Sequence, residues 1–158
     1  MSYLVFLRAV NDTAGFVRKF ARERVIPEQS QIDLLRTNAE SLDGLLKAIV
    51  IACADSMAAL HIKATNAGVN QKTMPVGFLE MLQWASDALS PIISMIPGEK
   101  PEMRAIKAKL EKISQEFTRM RETFESQGGE SAYEELALMV ALSSYLAGHT
   151  DGAANSNN

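Results

Sequence analysis

Two histidines, one cysteine, one pair of adjacent carboxylates and one cluster of four cations are the side chains of this sequence best equipped for chemistry. His61 and His149 belong to no HExxH or paired ExxH set, so spacing ties neither to a metal or to a general base. Cys53 shares a helical face with Leu46, Ile49, Met57 and Leu60, the setting of a small core hydrophobe. A reactive thiol would need positive charge nearby and access to solvent. With a single cysteine, no intrachain disulfide forms. Glu134 and Glu135 open a helix whose N-terminal dipole favours negative charge, and acid–base work there would require burial. CxxC, GxxxxGK[ST] and GxSxG are missing as well. The expectation is a protein that is not an enzyme and takes no cofactor or metal.

Arg18, Lys19, Arg22 and Arg24 form the densest basic group, with Arg8 farther up the same side of a helix. A solvated face near a helix C-terminus is the plain reading. The sharper ones are contact with nucleic-acid phosphates, or with an anionic membrane surface. The net charge of −3 argues against a wholly electrostatic nucleic-acid binder.

These residues need elements to hold them, and the periodicity is helical almost throughout. The chain is 47% apolar and 22% charged over 158 residues, enough for one bundle with its own core. A first helix covers about 3–25, with 3–10 also readable as a strand and "NDTAG" a candidate break capped by Asp12 or Thr13. A long helix follows over about 30–67, opened by "SQID" as a capping box and closed by Gly68. Its middle, "AIVIACA", loses the polar face, which predicts that neighbours surround it. A third helix runs over about 75–89, apolar except for one narrow polar stripe, with Ser90–Pro91 as a kink or a new start.

The fourth helix, about 101–127, carries the most regular pattern in the chain. Met103, Ile106, Leu110, Ile113, Phe117, Met120 and Phe124 alternate spacings of three and four, the seam of a helix made to meet another. Three heptads line an intrachain bundle as readily as a coiled coil between chains. Bulky Phe117 and Phe124 at a positions suit a bundle better than a tight parallel dimer. A fifth helix is expected at 131–146, and the polar tail 148–158 is expected to be disordered. The class is therefore all-α: a single-domain bundle of about five helices over 1–147.

Two and a half helices that are apolar all round are hard to bury in so few elements. Some of that surface is therefore expected to meet another chain, at Met81, Trp84 and the seam residues Met103 to Phe124, and a Met-rich face (Met74, Met81, Met95, Met139) would suit an adaptable contact. The expected function is an interaction or assembly protein that self-associates or joins a larger complex. A nucleic-acid-associated subunit gripping phosphate through the first helix is the alternative, and a peripheral membrane protein comes third. No basic residue precedes the first apolar run, and the longest wholly apolar run, Ala48–Ala54, is far short of the ~20 residues of a span, so a cytoplasmic protein is expected.

Overall fold

The computed structural model describes residues 2–70 and 77–126. Five helices and no strand are present among them: α1 (Ser2–Glu23), α2 (Gln29–Glu40), α3 (Gly44–Ala67), α4 (Phe78–Met95) and α5 (Pro101–Ser126). The all-α class follows the periodicity. Backbone contacts divide the chain into two compact units, Met1–Arg119 and Met120–Asn158, and of the second only the end of α5 is described. The expected helix at 131–146 lies outside the described residues, as do the tail, His149, Glu134, Glu135, Met74 and Met139.

α1 is one unbroken helix from its second residue, which settles 3–10 as helix. "NDTAG" does not interrupt it, because Thr13 turns its hydroxyl back to donate to the Ala9 carbonyl at 2.8 Å instead of capping. Phe6, Val10, Val17 and Phe20 are fully buried along one side. The helix stops at Glu23, where Arg24 takes a left-handed backbone (φ 58°). Its amide bonds the Phe20 carbonyl at 3.0 Å, closing the last turn.

The long helix expected over 30–67 is in fact two. α2 ends at Glu40, Ser41 Oγ donates to the Asn38 carbonyl at 2.9 Å, and Gly44 opens α3 with φ 57°. Between them Leu42 turns into the core, only 1% exposed. The break has a packing cause: a straight helix could not bury both halves, whereas the turn folds α2 back onto α3 along most of its length. The N-cap of α2 is Glu28 and not Ser30, with Gln31 Oε1 accepting from the Glu28 amide at 2.9 Å.

α4 continues through Pro91 rather than ending at Leu89. The proline removes a donor at a position where both it and Asp87 are exposed, so solvent can serve the freed carbonyl. α3 sits at the centre of the first unit, packed on α1, α2 and α4. α5 is tied to α1 by polar contacts from Glu102 to Glu116: Tyr3 Oη donates to the Glu102 carbonyl, Lys109 Nζ donates to Asn11 Oδ1, and Glu116 meets Arg18 and Arg22.

Candidate functional site

Cys53 lies fully buried between α3 and α1, next to Thr13. Burial pushes its thiol up from an ordinary 9.0 to about 11, against a smaller opposing effect of the Thr13 hydroxyl. A thiol so placed is protonated at neutral pH and inert. His61, half-buried on α3, has Nδ1 2.6 Å from the Pro27 carbonyl and so pins the loop between α1 and α2. Among the described residues no group of three His, Cys, Asp or Glu side chains could hold a metal ion.

The basic group is dispersed by the fold. Glu116 of α5 takes two of its cations, with Arg22 Nη2 at 3.1 Å and Arg18 Nε at 3.5 Å. Arg24 turns to the other end of α3 and donates to the Asn70 carbonyl at 3.1 Å. Lys19 is exposed. Helical spacing suggested a common cationic face; the structure spends two of the four on holding α5 to α1, and a third on a chain turn.

The seam is used inside the chain. Met103, Ile106, Leu110, Ile113 and Phe117 are at most 5% exposed with no second chain present. Phe124 is also buried, while Met120 keeps part of its surface. Met81 is buried on the inner face of α4. Of the nine residues expected at an interface, only Trp84 and Met120 therefore keep surface to offer. From Met103 to Phe117 the seam is buried within the first unit, on the part of α5 that polar contacts tie to α1.

Three of the five exposed large apolar side chains among the described residues lie on α3, whose middle was expected to be surrounded; the other two are Leu4 and Leu34. Ile49, Val50, Cys53, Ala54 and Met57 face inward, but the opposite side carries Leu45 (42% exposed), Ile51 (38%) and Ile62 (58%) with Ala48 and Ala59 between them. The signal for this was in the sequence: a helix apolar on every side, in a bundle with neighbours on only part of its circumference, must leave some apolar surface outside. One charge interrupts the stripe, Asp55, whose carboxylate accepts from Arg36 Nη1 of α2 at 2.9 Å.

Beside the stripe a groove of about 340 Å³ runs between α3 and α4. Small residues, Ala52, Ser56, Ala59 and Ala88, let the two helices leave this space, and Trp84 and Lys63 form one wall. Lys63 Nζ stands 5.6 Å from the Trp84 ring centroid, a cation–π contact that holds the indole half-exposed at the groove mouth. Three residues along α4 from Trp84, Asp87 accepts from Gln83 Nε2 at 2.8 Å. The groove has apolar walls, a few placed charges and no arrangement of nucleophile and base; what it can do is receive another apolar surface.

α3 is also long and apolar enough, by length and composition, to cross a membrane, although a third of the relevant window is buried in the bundle. The chain matches no protein-family model, no curated protein and no solved structure.

Proposed function

We propose that this chain is a non-enzymatic interaction or assembly protein, a helical bundle that self-associates or joins a larger complex through an apolar helix face. The observation that carries the reading is the exposed stripe of α3, Leu45, Ala48, Ile51, Ala59 and Ile62, bordered by the Trp84 groove. Single exposed apolar side chains are ordinary on any protein. A continuous stripe along one helix, rimmed by charges, is the mark of a surface that meets something. The phosphate-gripping alternative has less support, since Glu116 already engages Arg18 and Arg22.

A bilayer is the competing occupant, because α3 has the length and composition of a span. Asp55 in the middle of the stripe counts against it, since a central carboxylate costs about 2.5–3.5 kcal/mol on insertion scales.

The deciding experiment is solution mass by light scattering across a concentration series, for the native chain and for Ile51→Glu. The native chain should exceed one chain's mass as concentration rises, and the variant should remain near it with unchanged helicity. Indifference of the mass to Ile51→Glu would remove α3 from the contact. Flotation with anionic vesicles that Ile51→Glu abolishes would transfer the face to the membrane.

A further inference from the structure

The exposed stripe of α3 has an internal order that a general apolar contact does not require. Counted from Asp55, its positions are Ala48 at −7, Ile51 at −4, Ala59 at +4 and Ile62 at +7. Each isoleucine has an alanine at the mirrored offset. We propose that the partner of this face is a second copy of the chain, docked with the two α3 helices antiparallel about a two-fold axis through Asp55. The proposal rests on the interaction reading above and names the partner.

About that axis residue 51 of one copy faces residue 59 of the other, and residue 48 faces residue 62. A large side chain then sits over a small one at all four places, which is how ridges enter grooves without voids. A parallel pair in register sets isoleucine on isoleucine and alanine on alanine. Moving the axis half a turn along the helix sets the Asp55 carboxylate against Ile51 or Ala59.

Charge points to the same centre. Two bare carboxylates facing each other would repel, but each Asp55 is bonded to an Arg36 at 2.9 Å, and both side chains remain accessible, at 63% and 46%. About the axis the two carboxylates stand together with an arginine beside each, a neutral set of four charges that the rotation maps onto itself. An isologous contact demands that of its patch.

The α3 strip by itself supplies about half of a standard interface. α3 has 24 residues, about 36 Å at 1.5 Å each, and a strip that long and one helix (about 11 Å) wide covers roughly 400 Å² per copy. The flanks on α2 and α4 add to this, towards the roughly 800 Å² per partner of a standard interface. On the α4 flank, the same rotation brings Leu45 of the partner subunit to the groove mouth at Lys63 and Trp84.

The test is an exchange and a cross-link on the full chain. Ile51→Ala and Ala59→Ile should each weaken the dimer by about tenfold or more, while the double exchange, which keeps large over small, restores it to within about threefold. In a Cys53→Ala background, Asp55→Cys should form an interchain disulfide with oxidised glutathione, since a residue on the axis meets its own copy. Leu34→Cys, exposed on α2 away from the face, should not. The cross-link needs no repacking and decides the question even if an exchange variant fails to fold. A dimer that neither cross-links at residue 55 nor recovers on double exchange overturns this geometry and leaves self-association standing. A single-chain mass at every concentration overturns both.

Discussion

Gly44 and Gly15 separate backbone conformation from side-chain space. At neither would an added Cβ meet another atom within 4 Å, but Gly44 has φ +57° and Gly15 lies inside α1. Gly44→Ala should therefore cost about 1–2 kcal/mol, the penalty of a left-handed backbone for an L-residue. Gly15→Ala should stabilise by roughly 0.5–1 kcal/mol through helix propensity alone. Urea melts of the two variants read both, and equal signs would contradict the local geometry. Cys53 gives a pH test. Its thiol, at about 11 in the fold against 9.0 ordinarily, holds its proton more tightly when folded. The stabilising contribution is thus whole below pH 9 and is lost as pH rises to about 11; the two-unit difference corresponds to about 3 kcal/mol. Tyr3, also raised by desolvation and by nearby Glu102, acts in the same direction. Cys53→Ala should flatten much of the alkaline fall measured by denaturant melts from pH 8 to 11, and an unchanged slope would assign the fall to other groups.

At the scale of elements, α5 and α3 exchange the roles expected of them. Alternate spacings of three and four identified the buried residues of α5 with one exception, Met120, because a seam is a local property of one helix. What the seam faces is not local. Arg18, Arg22 and Asn11 of α1 hold α5 by its outer polar atoms and leave its apolar side no direction but inward. Phe117, 1% exposed, should therefore behave as core. Phe117→Ala is expected to cost about 3–5 kcal/mol in a denaturant melt while leaving the mass of the folded protein unaltered. Ile51→Glu should do the reverse, changing the stability of the dilute, dissociated chain within about 0.5 kcal/mol and altering the mass at higher concentration. A Phe117 variant that dissociates an assembly without losing stability would return the seam to the interface. The break at Ser41–Gly44 was legible only in part. Ser41, Asp43 and Gly44 are residues that stop helices, yet each is also tolerated within one, and burial of Leu42 decided between the two.

For the molecule as a whole, the consequence of an exposed α3 face is linkage between assembly and stability. A bundle that associates through that face should melt at higher temperature as its concentration rises, because the oligomer withdraws folded chains from the unfolding equilibrium. That shift should disappear in Ile51→Glu alongside the change in mass. The amino-acid sequence by itself determined the all-helical class, the inner face of α5 from Met103 to Phe117 and the core placement of Cys53. All of these follow from the match between apolar spacing and the helical period, which needs no knowledge of neighbours. Only the tertiary structure decided that the long central segment is two helices, that the basic group is divided between Glu116 and the Asn70 carbonyl, and that α3 keeps an apolar stripe outside. Those outcomes depend on how many elements can surround one helix at once, and that number is set by the packing of the whole bundle rather than by the composition of any one segment.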